Sequence, residues 1–219
     1  MAALKRKELI NTSSRLYETL RRDLVSGRFK AGEKIAISAL KVRYNVGLSP
    51  LREALNRLAA YGLLEQENQR GFRVPRLERA ELDDIATMRR ELEGMALQRA
   101  IERGDTMWES ELLAAAHRLK RANDTPEHIE EWEPLHAQFH RTLVAPCESA
   151  WLLRFIEQLH DQFDRYRRLA PEAPETRRLL DTQHGELVSL TLERKAVEAR
   201  ELLDDHIQRS YEIALVSFQ

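Results

Sequence analysis

The chain has 219 residues, a formal net charge of −1 and a single cysteine. This length favours two domains of ordinary size, and one cysteine excludes an internal disulfide framework. No run approaches the roughly 18 apolar residues that a membrane helix needs, and the charged start does not resemble a signal peptide. We therefore expect a cytoplasmic protein rather than a membrane protein or a disulfide-rich secreted one.

The near-neutral total conceals two segments of opposite charge. Residues 1–75 contain 15 lysines and arginines against 7 acidic residues, and residues 76–219 contain the remaining 20 against 29. A basic segment suggests a polyanionic partner, since neutralisation of phosphates by Lys and Arg supplies most of the sequence-independent affinity for DNA. A chance partition of solvated charge is the alternative.

The basic segment begins with a predicted amphipathic helix over residues 12–26, because leucines recur there at every fourth position. Gly27 stands where a C-terminal cap is expected. A short second helix follows, which Ser38 is placed to cap and which ends near residue 44. A glycine-containing break then predicts a turn.

A third helix is predicted from Ser49 and Pro50, because serine is a preferred N-cap and proline is tolerated at the first helical position. This helix should stop at Gly62. Two strand-like pieces, 63–66 and 72–75, then surround a polar loop and predict a β-hairpin with a basic, glycine-bearing tip. Helix, turn, helix and basic hairpin is the order of a winged helix-turn-helix.

From residue 78 onward the sequence predicts long amphipathic helices and no strands. We place them near 79–103, 106–122, 126–145, 149–170, 175–193 and 195–217, with glycine, asparagine or proline at most breaks. Six helices in about 140 residues make an all-α bundle. The predicted fold class is therefore mainly α, with a winged helix-turn-helix at 1–75 and a helical domain at 76–219.

The second helix of a helix-turn-helix pair enters the major groove with its N-terminal end first. Arg52 lies in that first turn and can bind a guanine edge through two hydrogen bonds. Lys41 suits phosphates, whose contacts fix register without reading sequence. The candidate DNA-contacting residues are Ser38, Lys41, Arg43, Ser49, Pro50, Arg52, Asn56, Arg70, Gly71 and Arg73. Solvated surface polarity is the alternative for any one of them.

Four of the seven histidines predict a metal site in the helical domain. His136 and His140 share one helix face because of their i, i+4 spacing. If the last two helices are antiparallel about a turn near 193–195, His184 and His206 lie at the same height. Four imidazoles can then bind one ion, and ordinary core or surface histidines are the alternative. We expect no partner set for His117, His128 and His160.

The third helix and the hairpin resemble the DNA-binding signature of the GntR family of bacterial repressors. The similar runs are Ser49-Pro50-Leu51-Arg52-Glu53-Ala54-Leu55, Leu58, Tyr61-Gly62-Leu63-Leu64 and Arg70-Gly71-Phe72-Arg73-Val74. In that family the arginine matching Arg52 reads bases. Residues 45–48 depart from the usual Gly-Val-Ser-Arg, and Ala31 replaces a common proline. Leu48 therefore takes the place of a customary DNA-contacting arginine, which implies a different operator sequence.

An acidic all-α domain behind such a head resembles the FCD ligand-sensing domain of the FadR subfamily. The similar positions are Arg89, Leu92, Glu93, the segment 135–143, His184 and His206. The resemblance implies a divalent ion held by one Asp and three His, with His136 in the place of the Asp. Imidazole instead of carboxylate favours Zn²⁺ or Ni²⁺ over Mg²⁺ or Ca²⁺.

The same resemblance implies a small organic-acid effector near that ion. A carboxylate effector needs a cation to neutralise it, and Arg89 is the candidate, with Glu93 beside it in the effector site. These features together predict a non-enzymatic transcription regulator, a repressor whose affinity for operator DNA the effector controls. One short recognition helix reads too few base pairs for specificity, so a homodimer on a palindrome is expected.

Two other functions fit parts of the sequence. A metal-dependent hydrolase would use the histidine cluster, but it lacks an obvious general base and leaves the basic hairpin without a purpose. A plain helical scaffold with a basic arm would explain the charge asymmetry alone. Specific binding of one promoter fragment over random DNA would exclude the scaffold.

Overall fold

The computed structural model describes residues 2–67, 71–124, 129–169 and 174–218. The chain divides into two compact units, Met1–Glu78 and Arg79–Gln219. None of the helices in the described ranges combines the length and apolarity that crossing a membrane requires.

The first unit has the order helix, strand, helix, helix, hairpin. Its elements are α1 (Ala2–Val25), β1 (Lys34–Ile35), α2 (Ile37–Arg43), α3 (Leu48–Ala60), β2 (Glu65–Glu67) and β3 (Gly71–Arg73). The three strands form an antiparallel sheet in the order β1-β3-β2. The central strand places Arg73 opposite Lys34 on one side and Glu65 on the other. This sheet is the wing of a winged helix-turn-helix.

The core of the first unit forms around α3, which packs against α1. Leu51, Leu55 and Leu58 are almost fully buried, because their spacing puts them on one helix face. Asp23 joins the end of α1 to the end of α2, since it accepts hydrogen bonds from the hydroxyl of Tyr44 and from Arg28 Nη1. Burial together with the hydrogen bond to Asp23 raises the pKa of Tyr44 to about 12.

Both predicted serine caps are wrong. Ser38 and Ser49 are the second residues of α2 and α3, whose N-caps are Ala36 and Gly47 without a side-chain hydrogen bond. Pro50 is consequently the third helical residue rather than the first. It is tolerated there because the first four N–H groups of a helix have no intrahelical acceptor. The helix can therefore start earlier than the capping residues suggest.

The strands also differ from the prediction. Strand β1 was not predicted, because two residues are too few to show alternation. The predicted strands at 63–66 and 72–75 include Leu63, Leu64 and Val74, which are buried in the core. The paired segments are instead β2 and β3, displaced toward the hairpin tip. Helix α1 begins ten residues before the predicted start.

The second unit is all-α, as predicted. Its elements are α4 (Arg79–Arg103), α5 (Thr106–Asp124), α6 (Ile129–Val144), α7 (Ala150–Arg167), α8 (Pro174–Leu192) and α9 (Ala196–Leu215), with 3₁₀ turns at Ala145–Cys147 and Val216–Phe218. Each helix bound lies within three residues of the predicted one.

Helix α4 is central to this bundle, because it packs against α6, α7 and α9, while α8 packs against α9. At its end, a Cβ on Gly104 would lie 1.9 Å from the ring of Trp108, so the close approach requires glycine. The Trp108 Nε1 in turn donates to the carbonyl of Thr142 at 2.7 Å, which ties α5 to α6. The four helices α4, α6, α8 and α9 are thereby brought together around buried polar side chains.

Candidate nucleic-acid interface and metal centre

The outward face of α3 carries the predicted base-reading residues. Ser49, Arg52 and Asn56 are exposed, whereas Leu51 and Leu55 on the opposite face are buried. Residues spaced by three, four or seven positions share one side of a helix, which aligns the three polar side chains in one stripe. Pro50 is half-buried beside them. The stripe is thus free to meet a partner along its whole length.

The cations of the helix-turn-helix differ in how firmly they are held. Within the described ranges, Lys41 and Arg52 are exposed and form no ion pair. The Arg43 guanidinium lies 5.6 Å from the ring centroids of Phe29 and Tyr44, and these two cation–π contacts hold it in place. Ser38 is exposed near the start of α2. These side chains form a basic surface beside α3.

The wing shows a different use of its arginine. Arg73 Nε donates to Glu67 Oε1 at 2.6 Å, and its Nη1 donates to the carbonyl of Gly32 at 2.6 Å. Glu67 Oε2 also lies 3.8 Å from the Nζ of Lys34, which links the two outer strands, β2 and β1, across the central one. Gly71 has a φ of +112°, a conformation that side chains strongly disfavour. Arg70 lies outside the described residues.

The four predicted histidine ligands converge in the second unit. One nitrogen from each of His136, His140, His184 and His206 lies within 4.8 Å of those of the other three. The Nε2 atoms of His136 and His140 are 3.1 Å apart, and the ring centroids of His184 and His206 are 4.6 Å apart. The rings come from α6, α8 and α9, so three helices meet at this point.

Burial keeps these imidazoles neutral. It lowers the pKa of His136, His140 and His206 well below the usual value, and the neighbouring rings of the cluster lower it further. Burial, then the charge of Arg167, lowers the pKa of His184 to about 3. A neutral imidazole keeps the nitrogen lone pair that metal coordination requires.

The cluster fits a divalent transition ion. Both ring nitrogens of His184 and the Nδ1 of His140 are buried without a hydrogen-bond partner. Buried polar atoms left unpaired cost free energy, and coordination to a metal would remove that cost. Four imidazoles also suit Zn²⁺ or Ni²⁺ better than the oxygen-seeking Mg²⁺ and Ca²⁺. His206 Nδ1 is 3.3 Å from Gln183 Oε1, so its Nε2 is the nitrogen left for coordination.

A buried ion-pair cluster lies next to the histidines. Arg89 Nε donates to Glu93 Oε1 at 2.7 Å, and both side chains are buried. His160 Nε2 lies 3.0 Å from the same oxygen, while Glu93 Oε2 is 4.0 Å from His140 Nδ1. Burial alone would raise the pKa of Glu93, but Arg89 and His160 outweigh it and lower that pKa to about 2. Glu93 is therefore an anion beside the centre.

A second arginine, Arg167, is half-buried and lies near His136. Arg167 forms ion pairs with Glu133 and Asp164, and these carboxylates raise its pKa although burial opposes them. Its guanidinium lies 5.2 Å from the ring centroid of Trp132, whose ring stacks on His136 at 4.6 Å. The histidine cluster is thus bordered by two arginines, and each already has an acidic partner.

The comparisons with known proteins match both units. The bacterial regulatory proteins of the gntR family match residues 12–74, and the FCD domain matches residues 84–209. An uncharacterised HTH-type transcriptional regulator, BphR of Paraburkholderia xenovorans, is 37% identical over 90% of this chain and 82% of its own length. This chain belongs to the GntR family. The predicted winged helix-turn-helix and FCD combination is confirmed.

Two further proteins are similar to this chain over most of its length. The HTH-type transcriptional repressor GlaR of Escherichia coli is 36% identical over 87% of this chain and 90% of its own length. The solved structure of E. coli McbR/YncC has a TM-score of 0.84 at 22% identity, and the match covers 95% of this chain and 99% of that one. The GntR relatives are regulators of transcription, and the McbR/YncC likeness supports the fold.

The sequence analysis of this GntR chain missed one residue beside the histidine cluster, His160. His160 was expected to have no partner set, yet it pairs with Glu93. Its position three residues before Phe163 and four after Ile156, both buried, puts it on the inner face of α7, and that spacing was the available signal. His117 is exposed and His128 lies outside the described residues.

Proposed function

We propose that this chain is a repressor that binds operator DNA as a homodimer and is controlled by a small carboxylate effector. The effector binds beside a transition ion, Zn²⁺ or Ni²⁺, held by the imidazoles of the bundle. The ligands would be His136, His140, His184 and His206. The observation that carries this proposal is the convergence of these four buried, neutral rings, with nitrogens left without hydrogen-bond partners.

Charge is the reason to expect an anionic effector. Arg89 is paired with Glu93, and Arg167 is paired with Glu133 and Asp164. Four neutral imidazoles would leave the charge of a bound divalent ion uncompensated in a buried site, which is costly. When bound, such an ion offers a Lewis-acidic centre to which a carboxylate oxygen can coordinate. An anion would then balance the site.

Arg89 has a more specific part in this proposal than the sequence suggested. Its Nε is engaged by Glu93, and its Nη2 is 3.4 Å from His160 Nε2. An arginine has five N–H donors in a planar fork, so donors remain for a second carboxylate. Glu93 would hold the Arg89 guanidinium in place for the effector rather than contact it.

The DNA surface would be formed by α2, α3 and the wing. Arg52 would read a base edge, with Ser49, Pro50 and Asn56 beside it on α3, while Lys41 would contact phosphates. Ser38, Arg43, Arg70 and Gly71 would extend the surface. Arg73 would act chiefly by holding the wing, because its guanidinium is engaged by Glu67 and Gly32.

An effector changes DNA affinity only as far as it binds the DNA-competent and DNA-incompetent dimers with different affinities. The metal centre joins α6, α8 and α9, so an effector that completes it would fix their relative positions. The bundle with and without the bound effector would then be the two arrangements that differ in affinity for DNA. A hydrolase is disfavoured, because Arg89 and His160 lower the pKa of Glu93, the carboxylate beside His140, to about 2 and leave it too weakly basic to serve as a general base.

The test uses the full chain and lets the protein select its own operator. Random DNA duplexes are selected against the purified protein, and affinity for the enriched sequence is measured at two salt concentrations. The ion content is measured by elemental analysis, and a panel of small carboxylates is then titrated with and without chelator. We expect an enriched palindrome, salt-dependent binding, about one ion per chain and a carboxylate effect that chelation abolishes.

Each part of the proposal has its own contrary result. Failure to enrich any sequence would contradict operator binding. A strictly monomeric mass with and without DNA would contradict the homodimer. A carboxylate effect that persists in chelator would place the effector away from the ion. The His117→Ala variant is the matched control, since this exposed histidine lies on α5, away from the cluster.

A further inference from the structure

Two large apolar side chains flank the turn of the helix-turn-helix and face outward. Val42 is 83% exposed and Leu48 is 44% exposed. Within residues 13–67 and 71–78, no other large hydrophobic side chain is exposed. Val42 lies between the exposed cations Lys41 and Arg43, and Leu48 lies one helical turn before the exposed Arg52. An apolar pair surrounded by positive charge suggests an apolar part of a polyanion as its partner.

Leu48 occupies the more informative position of the two. It is the first residue of α3, and the spacing i, i+4, i+8 aligns it with Arg52 and Asn56. Both of these are exposed, so the stripe that faces outward begins with an apolar side chain and continues with polar ones. The N-terminal end of this helix is the part that reaches base edges in a helix-turn-helix complex.

We propose that Leu48 is a specificity-determining residue that recognises thymine through its C5-methyl group in the major groove. Leucine has neither donor nor acceptor, so it cannot pair with the polar atoms that the other bases present there. The thymine methyl is the one apolar group on a major-groove base edge of unmodified DNA. This inference rests on the proposed function, since it requires that α3 enters the operator.

Val42 provides the matched comparison. It lies on α2, and the first helix of the pair crosses the phosphate backbone rather than entering the groove. Its exposure is greater than that of Leu48, so a general benefit from apolar surface would appear more strongly at Val42. A benefit confined to Leu48 would mean that a base edge is being read.

The test removes the methyl group without changing any hydrogen bond. Once an operator has been selected with the full chain, each of its thymines is replaced in turn by uracil, which lacks only the C5-methyl. We expect one thymine in each half-site to be sensitive, with affinity reduced about fourfold per half-site, as for the burial of one methyl-sized group. Uracil elsewhere in the operator should have no effect.

Three variants test whether Leu48 is the side chain that contacts the thymine methyl. Leu48→Ala should lose the same contact in both half-sites, so the homodimer should bind the thymine operator about sixteenfold more weakly than the parent and should no longer distinguish uracil from thymine. Val42→Ala should keep the full distinction. Leu48→Arg should change the preferred base at the sensitive position from thymine to guanine, because arginine binds guanine O6 and N7. Each substitution is at an exposed position, so the fold is retained.

The outcomes distinguish failure of thymine recognition by Leu48 from failure of the proposed operator binding. If no sequence is enriched, the operator-binding proposal fails and Leu48 has no base to read. If an operator is enriched but uracil is tolerated at every position, Leu48 is not a thymine reader and the repressor proposal is unaffected. A uracil penalty that survives Leu48→Ala also overturns the assignment, because another side chain would then contact the methyl.

Discussion

In the first unit the described buried side chains are apolar apart from Ser13 and Asp23, whereas the helical unit buries thirteen polar or charged side chains, two arginines and four ligand-type histidines among them. The first unit keeps its cations on the surface, where water solvates them until a polyanion replaces it. The helical unit must satisfy each polar group internally. The contrast separates a unit with a cationic surface, to which the proposal assigns DNA, from a unit with a polar interior, to which it assigns a metal ion and an effector.

The two units therefore tolerate change differently. A surface cation contributes little to folding, so its removal alters binding and leaves stability intact. A buried polar group removed from a network leaves its partners unpaired, which affects folding and function together. Substitutions in the helical unit should accordingly have the larger effects, and those in the first unit the more specific ones.

The largest effect is expected for the histidine centre. His184→Ala and His206→Ala each remove one ligand from a different helix, so bound metal should fall from about one ion per chain to near zero. The stabilisation that a bound ion gives, which grows with its concentration over Kd, should disappear as well. Elemental analysis and thermal unfolding with and without chelator measure both.

His136→Ala sharpens this experiment. A modest loss of metal would mean that three histidines suffice and that water takes the fourth position, as in an open zinc site. The exposed His117→Ala should change neither metal content nor melting temperature. Parental metal content in every one of the His136, His140, His184 and His206 variants would make these ordinary bundle residues.

The next largest effect is expected at Arg52. Arg52→Ala should weaken operator binding by about 1–3 kcal/mol and relax the preference at one base pair, because a bidentate contact to guanine would be lost. Lys41→Ala should weaken all sequences alike and lower the salt dependence of binding. Titrations of operator and mismatched duplexes distinguish the two. An unchanged ratio of the two affinities in Arg52→Ala would show that Arg52 reads no base.

Arg73 is a cation of the first unit that we expect to stabilise the fold rather than contact DNA. Arg73→Ala removes charged hydrogen bonds to Glu67 and to the Gly32 carbonyl, so we expect the first unit to lose about 1 kcal/mol of stability. Lys30→Ala removes the same charge from an exposed position and serves as control. Denaturant unfolding gives the difference. Equal stability of both variants, with weaker DNA binding only for Arg73→Ala, would make Arg73 a DNA contact instead.

The sequence predicted most of this architecture because the signals were local. Helical periodicity predicted the bundle, and the i, i+4 spacing of His136 and His140 predicted that two of the four converging histidines share one helix face. The other two required the assumption that the helices carrying His184 and His206 are antiparallel, and their rings do converge. The order of elements was enough to predict the winged helix-turn-helix, and the residues predicted to contact DNA on α2 and α3 are exposed or half-buried in the structure.

What the sequence did not predict depends on contacts between distant residues. Arg73 is fixed by Gly32, forty-one positions earlier, and His160 is paired with Glu93 from another helix. No spacing rule connects such residues until the helices have packed. The caps at Ser38 and Ser49 failed for the opposite reason: the local preference was present, but the helices start two residues earlier and leave both serines in the first turn.

The smallest effect concerns Tyr44 in the first unit, whose pKa is raised. The pKa in the folded state is about 12 against 10 for an ordinary tyrosine, because burial and the hydrogen bond to Asp23 disfavour the phenolate. The unfolded chain therefore releases this proton first as pH rises. The stabilisation is complete below pH 10 and is lost as pH rises toward 12.

Tyr44→Phe lacks the titrating group, so the stability difference between parent and variant should be constant up to pH 10 and should shrink above it. Denaturant unfolding of both proteins at several pH values between 8 and 12 cancels the contributions of the other tyrosines and lysines. A difference that does not change across this range would mean that the Tyr44 to Asp23 hydrogen bond is absent in solution, and that α1 and α2 are joined by apolar packing alone.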